Sequence, residues 1–116
     1  MRNDKGRNLI IDLTFEFSLK IIRYTSLLEN EKKFVLARQL LRSGTSIGAN
    51  VREAQNAESK ADFIHKMKIA AKEADETEYW LMLLDKLENY PVCKDLLAEC
   101  SSIIRVLSKI IGSSRK

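Results

Sequence analysis

Carboxylates at helical spacing are the residues of this sequence whose types most readily suggest chemistry. Glu53, Glu73 and Glu76 could ligate a pair of metal ions, as carboxylates do inside di-iron and di-manganese helical bundles. Those sites also need a histidine three residues after a glutamate on each of two helices. The single histidine is His65, and the residue three before it is Asp62. We therefore expect no metal site, and we interpret His65 as a surface or helix-packing residue.

Other catalytic arrangements are also missing from the sequence. There is no nucleophile–base pair, no glycine-rich phosphate loop and no Cys/His cluster, so we expect neither an enzyme nor a bound cofactor. Cys93 and Cys100 are seven residues apart, about 10 Å along one helix, which is too far for a disulfide. We expect both to be buried thiols. Without a secretory signal or an apolar run of about 18–20 residues, we expect a cytoplasmic protein that does not enter the membrane.

A polar pattern runs along the second predicted helix, directly beside its apolar stripe. Its members are Gln39, Arg42, Ser43, Ser46, Asn50 and Glu53. They fall within about 100° on a helical wheel, where polar groups are partly buried and must be hydrogen-bonded. We expect Arg42 to bind a carboxylate of Glu73 or Glu76 on the third helix, bidentately. We interpret this polar stripe as a network that fixes helix register within or between subunits; the alternative is a binding site for a ligand or nucleic acid.

Four amphipathic helices must position these residues, at about 9–29, 32–56, 60–89 and 92–111. Apolar residues recur in each at steps of three, four or seven. The stripes are Leu13, Phe17, Ile21, Tyr24 and Leu28; Leu36, Leu40, Ile47, Val51 and Ala54; Phe63, Met67, Ala70, Ala74, Thr77, Leu81 and Leu84; and Leu96, Cys100, Ile103, Leu107 and Ile110. Short connections favour an all-α, antiparallel up-down-up-down four-helix bundle, with residues 1–116 as one domain. Ser59 is the expected N-cap of the third helix, and Asn89-Tyr90-Pro91 ends it.

One segment of the second helix, residues 43–48, consists mostly of poor helix formers. Its two glycines cost about 2 kcal/mol relative to alanine. The apolar register nevertheless continues through the segment, and Ala37, Gly44 and Gly48 fall within about 40° of one another. Such a strip of small residues lets another backbone approach closely. We predict a continuous helix packed tightly on a neighbour; the alternative is a helix broken here.

Three motifs in the second and third helices match a known family pattern. They read Q-x-x-R-S-x-x-S-I-x-x-N-x-x-E-A, S-x-x-D-F and I-A-x-x-E-A-x-E-x-x-x-W-L. The matching residues are Gln39, Arg42, Ser43, Ser46, Ile47, Asn50, Glu53 and Ala54; Ser59, Asp62 and Phe63; and Ile69, Ala70, Glu73, Ala74, Glu76, Trp80 and Leu81. Over about residues 36–88 the sequence resembles the 23S rRNA intervening-sequence protein family of four-helix bundles. It departs from that pattern at Asn89-Tyr90-Pro91, where a glycine-containing turn is expected.

The resemblance implies properties that the residues alone do not give. It implies a continuous second helix and a homo-oligomer, a pentamer with a central channel, without enzymatic activity. The family is also similar to the accessory protein of diversity-generating retroelements, a pentameric bundle that binds nucleic acid and a reverse transcriptase. Trp80, which belongs to the third motif, is interpreted as a packing anchor rather than as a platform for stacking bases.

The net charge of +4 is concentrated in the tails. Residues 1–7 carry +2, residues 109–116 carry +3, and residues 8–108 carry −1. In an up-down bundle both termini lie beside the turn between the second and third helices. The expected phosphate-binding residues at that end are Arg2, Lys5, Arg7, Arg52, Lys60, Lys66, Lys68, Arg115 and Lys116. A ring of parallel protomers would repeat this basic end and attract RNA or DNA without reading sequence; the alternative is that these are solvated helix ends.

Two hypotheses of function follow. In the first, the protein is an oligomeric accessory protein that binds nucleic acid through its basic end. In the second, it is a scaffold whose polar stripe and channel recruit a protein partner.

Overall fold

The computed structural model describes residues 5–115, with side chains from Leu9 onward. Within that range the chain forms four helices and no strand. These are α1 (Lys5–Asn30), α2 (Phe34–Ala54), α3 (Lys60–Lys86) and α4 (Lys94–Ser114). The all-α fold class is confirmed, and the helix bounds differ from the expected ones by no more than four residues.

The four helices occupy the corners of an elongated body measuring 47 × 20 × 19 Å. Contacts join α1 to α2, α2 to α3, α3 to α4 and α1 to α4, whereas within the described residues the backbones of α1 and α3, like those of α2 and α4, stay more than 8 Å apart between Cα atoms. Each helix is therefore diagonal to one other.

The predicted apolar stripes form the core. Leu13, Leu36 and Ile110 are the exceptions, since they are half-buried at its edge. On α1 the inward positions are Ile10 and Thr14 rather than Leu13. Thr14 is tolerated there because its hydroxyl donates to the Ile10 carbonyl at 2.7 Å.

Helix α2 runs without interruption through residues 43–48, as predicted. Gly44 is buried against α1, and a Cβ there would lie 2.9 Å from both Cγ1 and Cγ2 of Ile21. A Cβ at Gly48 would lie 3.2 Å from the Thr14 carbonyl oxygen and 3.3 Å from Ser18 Oγ. The missing side chains therefore let α1 and α2 approach closely, which offsets the low helix propensity of glycine.

The helix ends follow local rules. Ser59 caps α3, since its side chain accepts the backbone N–H of Asp62 at 3.0 Å. At the other end of α3, Asn89 has a φ of 65°, the left-handed conformation in which asparagine is the best substitute for glycine. The turn is then held from α1, because the Tyr24 hydroxyl donates to the Pro91 carbonyl at 2.6 Å. Asn89 thus takes the place of the glycine expected in this turn.

Both cysteines are free and buried, as predicted. Cys93 precedes the first residue of α4, and its Sγ lies 3.5 Å from the Leu81 carbonyl oxygen. Cys100 lies 3.4 Å from the Ala74 carbonyl oxygen. Burial raises the pKa of Cys93 above its ordinary value and that of Cys100 to about 12. Among the described residues, no helix is long and apolar enough to cross a membrane.

Replacing Gly44 by alanine tests the close approach of α1 and α2. The added Cβ must displace Ile21, a fully buried and stiff β-branched residue, at a cost of about 1–3 kcal/mol that exceeds the gain of about 1 kcal/mol in helix propensity. Gly44→Ala should therefore lower the free energy of unfolding, as measured by urea denaturation.

Gly112→Ala is the matched control, because nothing lies within 4 Å of its Cβ position. It should leave the free energy of unfolding unchanged or raise it by up to about 1 kcal/mol. If the two alanine variants were equally stable, the packing explanation for Gly44 would be wrong.

Candidate functional site

The polar stripe of α2 meets α3 at Arg42. Its Nη1 donates to Glu73 Oε1 at 3.2 Å, and its Nη2 donates to Glu76 Oε2. The Trp80 indole N–H donates to the same Glu76 oxygen at 3.0 Å. Arg42 is thus paired with both carboxylates predicted for it, through one nitrogen each, and does not hold one carboxylate bidentately.

The charges in this cluster stabilise one another. The hydrogen bond from Arg42, followed by that from Trp80, holds the pKa of Glu76 below its ordinary value of 4.5, and the same bond to Glu76 raises the pKa of Arg42. The Arg42 side chain is nevertheless 50% exposed, while Glu73 is 20% exposed. Water therefore screens these ion pairs, and each is worth only about 0.2–1 kcal/mol in the isolated chain.

Beside Arg42, the stripe makes a buried contact with α3. Ser43 and Thr77 are fully buried, and their hydroxyl oxygens lie 2.9 Å apart. Thr77 Oγ1 is also 2.8 Å from the carbonyl oxygen of Glu73. A hydroxyl has one proton, so both bonds form when Thr77 donates to the carbonyl and Ser43 donates to Thr77. This pair fixes the register of α2 against α3, because a slip of either helix would leave a buried hydroxyl unpaired.

The other stripe residues do not cross to α3 as one network. Ser46 Oγ donates to the Arg42 carbonyl at 2.6 Å, and the Asn50 side-chain amide donates to the Ser46 carbonyl at 2.8 Å, both within α2. Glu53 pairs with Lys66 at 3.4 Å. Gln39 is exposed and makes no hydrogen bond with another described side chain or backbone group. The stripe therefore has two parts. The inner part is Ser43, which is buried against α3, and the outer part, nearer the solvent, is Gln39, Arg42, Ser46, Asn50 and Glu53.

This arrangement can position helices and offer polar groups to a partner, but its chemistry is limited. Two of the three candidate carboxylates share a single cation, Arg42, and the third pairs with Lys66. His65 lies exposed on α3. Between residues 5 and 115, no group of three or more His, Cys, Asp or Glu side chains is placed to hold a metal ion.

The residues expected to bind phosphates are only partly described. Arg2 and Lys116 lie outside the described residues, as do the side chains of Lys5 and Arg7. The end of α2, the start of α3 and the end of α4 line one cleft of about 330 Å³, which includes Ser59, Lys60 and Ser113. The structure thus brings the carboxyl end of α4 next to the connection between α2 and α3, as the sequence predicts.

We call this end of the bundle, formed by the end of α2, the start of α3 and the end of α4, the terminal end. Its charge is less positive than its Lys and Arg residues alone indicate. Arg52, Lys68 and Arg115 are exposed and form no ion pair with the described side chains, whereas Lys66 is neutralised by Glu53. Residues 52–68 contain four Lys and Arg but also three Asp and Glu, a net charge of +1. The stronger positive charge therefore belongs to the two tails.

The carboxylates in the second half of α3 are partly compensated by cations of the neighbouring helices. Besides the pairs with Arg42, Asp85 pairs with Lys94 at 3.1 Å, and Glu78 accepts a hydrogen bond from Ser101 at 2.8 Å. Asp75 is exposed and forms no ion pair with a described residue. Cations of α2 and α4 therefore reduce the negative charge of this part of α3.

Sequence reasoning overlooked Thr77, because it occupies an apolar position of the α3 stripe. Its hydroxyl is nevertheless the partner of Ser43. A threonine within an apolar stripe is itself a signal, since a buried hydroxyl needs a partner. Trp80 does more than pack, because its indole N–H donates to Glu76 and its ring contacts Tyr79 edge-on at 5.4 Å.

Replacing Arg42 by alanine should lower the free energy of unfolding by about 1 kcal/mol at pH 7. Because the folded pKa of Glu76 is depressed, its contribution is present above its ordinary pKa of 4.5 and is lost as the pH falls through the folded value. The difference from the unmodified chain should therefore shrink at low pH in urea titrations. Arg38→Ala, one turn earlier and without an ion pair among the described residues, is the control and should show no such pH dependence.

Comparison with known proteins agrees with this geometry. The family model described as 23S rRNA-intervening sequence protein matches residues 7–109. No curated protein matches the chain. A protein of unknown function from the S23 ribosomal protein family of Bacteroides thetaiotaomicron VPI-5482 shares 45% sequence identity with this chain. Its crystal structure matches with a TM-score of 0.87, covering 92% of this chain and 98% of that one. The chain belongs to the 23S rRNA-intervening sequence protein family.

Proposed function

We propose that the protein is a non-enzymatic, oligomeric accessory protein that binds nucleic acid through its terminal end. The observation that supports this is the exposure of Arg52, Lys68 and Arg115 without a carboxylate partner in residues 5–115. Unpaired cations remain available to phosphates, and residues 1–7 and 109–116 carry further net charges of +2 and +3. Because these contacts reach the backbone and not the base edges, binding would be insensitive to sequence.

The bundle that presents this end is inferred to be up-down-up-down. Contacts between α2 and α3 support this topology, because Arg42 reaches Glu76 while Glu53, further along α2, reaches Lys66, which lies earlier in α3. Contacts of Cys93 with Leu81 and of Cys100 with Ala74 run in the same opposed sense between α4 and α3. The start of α1, the end of α4 and the α2–α3 connection then share one end.

A homopentamer with parallel protomers is the assembly that we propose, following the resemblance in the second and third helices. Five terminal ends around a ring would multiply weak phosphate contacts, so that each protomer needs only a few exposed cations. The family name refers to an intervening sequence of 23S rRNA, which makes structured RNA the first probe to test.

Binding should be measured by fluorescence anisotropy with a labelled RNA hairpin and a labelled DNA duplex. The salt concentrations should be about 50 and about 200 mM, because phosphate contacts weaken strongly between these two values. We expect affinity to fall steeply with salt. The combined variant Arg52→Ala, Lys68→Ala and Arg115→Ala should weaken binding to both probes and reduce the salt dependence, by up to about 0.9 in the log–log slope for each lost contact.

The control variant combines Arg23→Ala, Arg38→Ala and Lys86→Ala, which removes equal charge from exposed residues away from the terminal end. It should bind like the unmodified protein. Equal losses in the two variants would mean that net charge, and not this end, is responsible. No binding of the intact oligomer at the lower salt concentration would refute nucleic-acid binding.

A scaffold that recruits a protein partner is the second candidate. It is favoured by the solvent-facing outer part of the polar stripe and by exposed apolar side chains on α3, among them Tyr79 and Met82. We expect such a partner to remain bound when a native extract is treated with nuclease before affinity purification, whereas a partner held through nucleic acid should be lost.

A further inference from the structure

A cleft between α1 and α2 has an exposed aromatic ring at its edge. Phe15 is 62% exposed, more than any of the other three phenylalanines. The cleft has a volume of about 230 Å³, and Phe15 of α1 and Arg52 of α2 both line it. Because each helix supplies one wall of the cleft, the ring and the guanidinium belong to different walls.

The cleft is open because the other residues around it are small. Its lining includes Ser18, Gly48 and Ala49, and it is mainly apolar. The volume is below the range of about 300–1,000 Å³ that is typical of sites for drug-sized ligands. The cleft thus has room for one flat ring and not for a larger molecule.

The charge beside the cleft is positive. Arg52 is exposed and forms no ion pair with the described residues, and none of the described residues that line the cleft is acidic. Arg52 also lies two residues before the end of α2, so the cleft opens beside the terminal end. A flat apolar ring that carries an anion would match the Phe15 ring, the apolar lining and the free cation together.

We propose that this cleft holds an unpaired base of a single-stranded nucleic acid, stacked on Phe15, while Arg52 binds a neighbouring phosphate. The inference rests on the proposed function and names the class of nucleic acid. Stacking uses the face of a base, which every base has, so it tolerates any sequence, as the phosphate contacts do. The bases of a duplex are already stacked on one another and would have to leave the helix to enter the cleft.

The two parts of the contact respond differently to salt. Binding of a phosphate releases counterions and weakens as salt is added, whereas stacking on Phe15 involves no net charge. Loss of the ring should therefore lower the affinity by the same factor at every salt concentration. Loss of Arg52 should instead reduce the log–log slope, by up to about 0.7 for a single strand.

The experiment compares strands with and without bases. Fluorescence anisotropy should be measured with labelled single strands of thymidines and of uridines, and with an abasic DNA strand of equal length. Phe15→Leu removes the ring from an exposed position and should weaken binding to both base-carrying strands at least about fivefold, with an unchanged salt slope. Its binding to the abasic strand should not change. The strand that the unmodified protein binds more tightly identifies the nucleic acid as RNA or DNA.

Two further variants test the ring and the space separately. Phe15→Trp keeps an aromatic face and should bind at least as tightly as the unmodified protein. Ala49→Leu adds bulk at an exposed residue of the cleft and should weaken binding to the base-carrying strands alone. Circular dichroism should show the same helix content in all variants.

Phe34→Leu is the matched control, because Phe34 is 45% exposed and does not line the cleft; it should bind like the unmodified protein. If Phe15→Leu bound the base-carrying strands normally, or lost as much affinity for the abasic strand, the base site would be refuted. Salt-dependent binding of the RNA hairpin and the DNA duplex would then still support the proposed function. If Phe15→Leu lowered the mass of the protein in light scattering, the cleft would be a contact between copies of the chain and the inference would be overturned. Failure of every probe to bind would overturn both proposals.

Discussion

The close approach of α1 and α2 determines much of this molecule. Two glycines in the middle of a helix lower its intrinsic stability, and the chain tolerates them because Ile21 and the backbone at Thr14 occupy the space that side chains would fill. The same spacing holds α2 in a fixed rotation, and that rotation turns Ser43 toward α3 and leaves Arg42 at the surface. The polar stripe is therefore divided into an inner and an outer part by a packing constraint on the side of the helix that faces α1.

That division gives the two polar contacts between α2 and α3 different roles. The Ser43–Thr77 pair is fully buried, so its main effect is on specificity: a shifted register would leave the buried Ser43 hydroxyl without its partner on α3. The Arg42 cluster is wet, and its contribution in a single chain is small. An arginine held between two carboxylates at a surface would gain strength if a partner excluded water from it.

Much of the fold follows from the sequence, because helical periodicity and short connections depend on local pattern. The apolar register through residues 43–48 correctly indicated a continuous helix where composition alone would indicate a loop. The site was less accessible. The pairing of Arg42 with Glu73 and Glu76 could be inferred, because α2 and α3 face each other. The way in which its two nitrogens divide between the two carboxylates depends on the relative rotation of the two helices. The pairing of Lys66 with Glu53 also escaped prediction, since counting cations at one end ignores the carboxylates that fold beside them.

The two thiols offer a way to observe motion in this bundle. Each lies against a backbone carbonyl of α3, and its high pKa keeps it protonated while it is buried. A thiol in that state does not react with alkylating reagents, which require the thiolate. A reagent reaches the thiols only when α4 separates from α3, so the rate of modification reports how often the contact between these two helices, the α3–α4 seam, opens. The chain thus contains native probes at two heights of one helix pair, and unequal labelling rates would reveal whether the seam opens from the end or along its whole length at once.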